Sequence, residues 1–247
     1  MHHHHHPHAG SEAPVNPNDL AVMLKQGTQD LHDRAENHDF QQRFASGRIS
    51  RTQYGLFLSQ MLSVHAALEP NLRTLTTKHP IFRDLVADHQ FRYDLIRRDL
   101  ADLGVRHESC VVYAPTRKFT QYIEDTAKND PIALVGVLYV KEGATNGNKI
   151  IVKHIRQSLG LTENEASRYL DPHGAEQRKR WMAFKGMLST IPVTDEEKAR
   201  IVAAARMTFE LIGDLSEHLS KLEGDTEMGA STEVTVSTAA CPVTAAR

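Results

Sequence analysis

The chain has 247 residues, 40% hydrophobic, 24% charged and 6% aromatic, with fourteen glycines and ten prolines, which excludes a disordered or collagen-like chain. Two cysteines, Cys110 and Cys241, exclude a disulfide-stapled scaffold or a Cys-rich zinc site, and a formal charge of −2 gives no field to gather nucleic acid. No run approaches the roughly 18 apolar residues of a membrane span, so the expectation is a cytoplasmic globular protein with no membrane and no nucleic-acid partner. Six of the fifteen histidines, His2 to His6 and His8, lie in the first eight residues. Residues 1–18 therefore read as a purification tag and linker. Residues 224–247 are small, polar and without helical period, and read as a flexible tail. Residues 19–223 remain as a single domain.

In chain order the body reads as helices. Asp19 precedes a segment whose Leu20, Leu24, Thr28, Leu31 and Ala35 share one face, and Ser50 precedes RTQYGLF. The stripe Tyr54, Leu58, Met61, Leu62, His65 and Leu68 follows, and Phe82, Leu85, Val86, His89 and Tyr93 begin another. Gly104 and Gly160 are stop signals, and Asp130-Pro131 opens IALVGVLYV with proline at the first helical position. Ser109 to Tyr113 is β-branched but short and reads as a connection, with Cys110 a buried hydrophobe. Thr194 caps a last helix, with Glu197 placed for a capping box. Pro70, Pro80, Pro115, Pro131, Pro172 and Pro192 separate the elements. The expectation is an all-α bundle of about seven or eight helices.

Two stretches carry chemistry. In LKQGTQDLHDRAEN, His32 lies beside the apolar stripe of the first helix and Glu36 follows one turn later. A carboxylate there fixes the imidazole tautomer and makes the other nitrogen a better metal ligand. The same spacing also describes a plain surface His–Glu pair. In VLYVKEGATNGNKIIVKHI, Gly143 and Gly147 lie four apart within a helical pattern. Each interior glycine costs about 1 kcal/mol relative to alanine. Either something flat must come close to that face, or the helix breaks there in a tight turn.

Together these stretches resemble the heme oxygenase family, and the resemblance covers nearly the whole body. The first helix is similar to that family's proximal helix through Thr28, His32, Ala35 and Glu36. Gly143 and Gly147 match two glycines of its kinked distal helix. The stretch RWMAFKGMLSTIPVTDEEKARIVAAARMTFELI resembles the closing helices. The resemblance implies a heme-oxygenase-like fold that sandwiches heme (iron protoporphyrin IX), with His32 as axial iron ligand and Thr28 and Glu36 beside it. It implies propionate-binding roles for Lys25 and Lys185, and a pocket-lining one for Phe209. It also implies ring opening by O2, with electrons from a ferredoxin or a flavoprotein reductase, to biliverdin, CO and ferrous iron.

The chain departs from the family pattern at three positions. A third distal glycine is replaced by Asn148, whose side chain hydrogen-bonds bound ligand, crowds the distal face or turns away; a distal Asp is replaced by Ala144, and an Arg at the heme edge by Val140. The alternative is thus a heme sensor or carrier on the same fold. Of the other histidines, His65 reads as a satisfied core residue and His154 as solvent-facing. Asp214 and His218 are spaced for a di-iron site, but no Glu in the body is followed seven residues later by His. Arg178-Lys179-Arg180 reads as a solvated face or a docking patch, with Trp181 and Phe184 packed inward. Cys241-Pro242 matches a short heme regulatory dipeptide. Nothing in the sequence selects an oligomeric state.

Overall fold

The computed structural model describes residues 13–227, with side-chain surroundings through Leu222. Among the described residues it is built of nine α-helices and no strand. In chain order these are α1 (Leu20–Glu36), α2 (Asp39–Ala45), α3 (Arg51–Lys78), α4 (Pro80–Leu85) and α5 (Tyr93–Asp102). They are followed by α6 (Ala114–Asn129), α7 (Leu134–Leu159), α8 (Gln177–Leu188) and α9 (Asp195–Glu227). Helix α2, of seven residues, is too short to leave a period, and the single helix expected from the stripe Phe82, Leu85, Val86, His89 and Tyr93 is corrected to two: α4 ends at Leu85, residues 86–87 are extended, and α5 starts at Tyr93 after a 3-10 turn.

The start and stop signals act as their chemistry requires. Asp19 accepts the Val22 N–H at 3.2 Å. Ser50 and Gln53 cap each other's backbone at 3.1 and 2.8 Å, as Thr194 and Glu197 do at 3.1 and 3.0 Å. Gly160 ends α7 in the left-handed region at φ 65°, which a side chain would strain. Four expectations need correction. Pro70 does not separate helices but lies inside α3. Its ring is on the exposed face, where water can take the carbonyl it leaves unpaired, while neighbouring Leu68, Glu69 and Leu72 are buried and hold the helix in place. Pro131 opens a 3-10 turn, residues 131–133, that runs into α7 rather than α7 itself. Cys110 is only partly buried, its thiol reaching the Arg106 carbonyl at 3.5 Å. Helix α9 runs past residue 223 to Glu227. The histidine run and Cys241-Pro242 lie outside the described residues.

Helix α9 is the axis of the bundle: α1 and α7 both pack along it, joined by α6 and α2, while α4, α5 and α6 gather on α3. The α7–α9 crossing depends on one small residue. A Cβ at Gly136 would meet the Ile201 carbonyl oxygen and stand 2.7 Å from the Ala205 nitrogen, so only glycine lets the two backbones touch. Leu20, Leu24, Leu58, Leu68, Leu134, Leu138, Ile201 and Ala205 are among the fully enclosed residues of the resulting core. This packing presents one face of α1 and the middle of α7 to the same region, against α8 and α9.

Candidate functional site

On α1 the face-sharing residues do different things. Thr28 is buried, donates to the Leu24 carbonyl at 2.7 Å and lies close to the Tyr139 side chain of α7. One turn on, His32 projects outward, its side chain 51% exposed. Its Nδ1 lies 3.7 Å from Glu36 Oε1, close enough for charge attraction but longer than a hydrogen bond. The ring meets Phe209 of α9 edge-on, centroids 6.1 Å apart. Lys25 is exposed on the same helix.

Helix α7 is continuous through Gly143 and Gly147, so the glycines do not mark a turn. Their surroundings differ. A Cβ at Gly143 would stand 3.3 Å from Trp181 Cη2, whereas one at Gly147 would meet nothing within 4 Å. Trp181 of α8 thus lies over Gly143, with its ring centroid 5.8 Å from that of Tyr139 and Lys185 Nζ 5.3 Å from the ring. Asn148 is half-buried beyond the open glycine. The predicted residues therefore form two groups joined by one turn of α1: His32 with Glu36 and Phe209, and Thr28, through Tyr139, with Gly143, Trp181 and Lys185.

A cavity of about 550 Å³ opens between the end of α1, α2, α6 and α9, within the size range of small-molecule sites. Leu31, Ala35, Phe209, Leu211 and Ile212 give it an apolar part, and the charged Arg34, Lys118, Glu210, Asp214 and Glu217 also line it. Of the predicted binding residues only Phe209 lines it, with Leu31 and Ala35 from the face of α1 that carries Thr28. His32 is outside the lining and meets it only through its edge-on contact with Phe209. Lys25, Gly143, Gly147, Asn148 and Lys185 lie outside its lining.

A buried ionic cluster beside α7 was not expected. Arg92 is fully enclosed, with Nη2 3.6 Å from Glu142 and 3.2 Å from His173 Nε2, while its backbone N–H donates to Glu69 at 3.1 Å. Lys141 Nζ lies 3.0 Å from Glu142 Oε1 and also donates to the Gln90 carbonyl. Glu69 in turn holds His65 Nδ1 at 3.0 Å, so His65 is the satisfied core histidine the stripe suggested. Burial works against Glu142 ionising, yet Lys141 and Arg92 hold its carboxyl below the usual value. His173 is pushed down to about 4 by burial and by the Arg92 and Arg180 charges. Arg180 Nη1 reaches His173 Nδ1 at 2.6 Å, so this member of the basic cluster turns inward while Arg178 and Lys179 stay exposed. One sequence signal pointed here: Lys141-Glu142 is a charged pair in an otherwise apolar run. His154 is exposed; Asp214 pairs with Lys118 at 3.5 Å and His218 packs on Tyr113, which disperses the di-iron spacing.

The heme oxygenase family model matches residues 18–218. Heme oxygenase 1 from Pongo abelii is 24% identical over 212 residues, covering 83% of this chain and 73% of that protein. Among solved structures, heme oxygenase-2 from Synechocystis in complex with heme and NO superposes with a TM-score of 0.78 at 22% identity, covering 91% of this chain and 97% of that one. Heme oxygenase from Leptospira interrogans gives 0.75 at 22% identity, covering 82% and 99%. A match across the whole helical body, on a fold whose first helix carries His32 and whose long α7 carries both glycines, places this chain in the heme oxygenase family.

Proposed function

We propose that this protein binds heme through His32 and opens the ring oxidatively. The observation that carries the reading is His32 itself: on α1 it is flanked by Glu36 at 3.7 Å and by Phe209, which lines a partly apolar cavity of ligand size. These residues fit the group. Glu36, within charge-attraction distance of Nδ1, favours the proton on that nitrogen and leaves Nε2 as an iron ligand. Phe209 packs edge-on against the imidazole ring, and Leu31 and Ala35 add apolar surface to the cavity beside it. Lys25 and Lys185 bring positive charge for two propionates. Gly147, with open space where a Cβ would stand, leaves room on the α7 face, and Trp181 covers Gly143 beside it. The Asn148 amide next to the open glycine supplies a donor and an acceptor. Thr28 of α1 lies close to Tyr139 of α7.

Bound heme would supply the redox iron and the carbon skeleton that is opened, giving biliverdin, CO and ferrous iron. Electrons would come from a ferredoxin or a flavoprotein reductase. No described helix is long and apolar enough to cross a membrane, in keeping with a cytoplasmic setting. Hemin added with a reductant under O2 is expected to give way to a bile-pigment spectrum. A stable CO complex with no pigment formed would favour the sensor or carrier reading, for which Ala144 and Val140 speak. His32→Ala is expected to abolish the axially ligated spectrum, and an unchanged spectrum would refute His32 as the ligand.

A further inference from the structure

The imidazole of His32 lies between an aromatic ring and two carboxylates. Its ring edge meets Phe209, which lines the cavity, while Nδ1 points at two carboxylates in solvent. Glu36 Oε1 lies 3.7 Å from Nδ1 and Asp33 Oδ1 lies 4.0 Å from it, with side chains 68% and 60% exposed. The three ligand atoms all lie within 4.8 Å of one another, and among the described residues no other group of three or more His, Cys, Asp or Glu does so. Asp33 is not loose on the surface. Gln29 Nε2 donates to its Oδ1 at 2.8 Å, which holds the carboxylate on the His32 side of the helix. One imidazole and two carboxylates form a mixed nitrogen–oxygen donor set suited to borderline and hard divalent ions, with coordination positions left for water. Small side-chain rotations bring such atoms to the roughly 2.0–2.2 Å of metal–ligand bonds.

We infer that His32, Asp33 and Glu36 form a divalent-cation site on the solvent side of the candidate heme ligand, one that takes up the ferrous ion freed there. The class of ion rests on the proposed heme chemistry; the site itself rests on the geometry. When a tetrapyrrole ring is opened, its iron loses the macrocycle's grip but is still next to an imidazole. Nearby carboxylate oxygens are the groups that can receive it, and Asp33 and Glu36 are the ones placed beside His32. At Nδ1 a cation takes the place of the proton that the nearby Glu36 carboxylate favours there. It withdraws electron density from Nε2, so the loaded site disfavours a second heme until the ion has left.

Manganous ion tests the site directly, because its aqueous EPR signal is quenched on binding. The heme-free full-length chain is expected to bind one more equivalent than Asp33→Asn. The terminal histidine run is the same in both chains, so the difference reports this site. Anaerobic ferrous ion is expected to displace the bound manganese. Loss of Asp33 as a ligand should weaken binding at least about tenfold, the lower end of what even outer-shell substitutions do. Asp33→Glu should restore binding, and Asp33→Asn should bind hemin with an unchanged spectrum. Equal manganese uptake by wild type, Asp33→Asn and Glu36→Gln would overturn the inference. Uptake of manganese without any binding of hemin would leave the cation site standing while removing the heme reading and its ferrous product. Binding of hemin without manganese would do the opposite.

Discussion

Replacing Gly147 with alanine should separate stability from function in opposite directions. Alanine is better than glycine in a helix interior by about 1 kcal/mol, and Gly147 sits in the middle of the continuous α7. A Cβ there meets nothing within 4 Å, so no clash offsets the gain. The heme-free Gly147→Ala protein should melt about 2–4 °C higher, the shift expected for 1 kcal/mol in a domain of this size. At Gly143 the same substitution places a methyl carbon 3.3 Å from Trp181 Cη2, so the indole must yield and most of the gain is lost. If the open space over Gly147 is where ligand approaches bound heme, the methyl group occupies it. CO affinity of the reduced heme complex should then fall by about tenfold, equivalent to 1.4 kcal/mol, and pigment formation should slow with it. Thermal melts of the heme-free chain and CO titration of the loaded one are both direct measurements. A stabilised Gly147→Ala protein with unchanged CO affinity and unchanged pigment yield would refute the placement of Gly147 on the ligand face.

Two further outcomes follow from the packing. Gly136→Ala drives a methyl group into the α9 backbone at Ile201 and Ala205 and should destabilise the fold by about 3 kcal/mol in urea titration, the upper part of the range for overpacking. Protonation of His173 should weaken the protein in acid. Its folded value is pushed down to about 4 from an ordinary 6.5, so the unfolded chain takes up the proton first as pH falls. The stability it contributes is then complete above about pH 6.5 and is lost progressively toward about pH 4. His65 and His89, also depressed by burial, act in the same direction, so the comparison must be with His173→Gln. Urea midpoints of that variant, with Arg92, Arg180, Glu142 and His89 still in place, should fall less steeply over this window than those of wild type.

Much of the fold is legible in the sequence because its signals are local. Asp19, Ser50 and Thr194 each cap a helix by bonding a residue three positions away, and Gly160 ends one with its own backbone angle. Helix α2 is missed because fewer than two turns cannot establish a period, and the break between α4 and α5 is missed because apolar residues keep a helical spacing across it from Phe82 to Tyr93. Pro70 is misread because the rule against interior proline assumes the freed carbonyl has no other partner. Exposure of that face supplies water, and burial of the flanking residues keeps the helix intact.

The site divides along the same line. His32 with Glu36, and Gly143 with Gly147, are pairs one turn apart, so spacing reveals them. What lies across from them is not written in spacing. Phe209 meets His32 and Trp181 covers Gly143 only once α8 and α9 have folded back on α1 and α7. The buried cluster is the sharpest case, since Arg92 and His173 bond across 81 positions. Electrostatics still leaves a trace of it. A Lys141-Glu142 pair inside an apolar helix cannot be buried without further charge or donors to satisfy it, because an unpaired ion in that setting is prohibitively unfavourable. The sequence therefore states that partners must exist directly beside Gly143. Only the path of the chain states that they are Arg92, Gln90 and, through Arg92, His173.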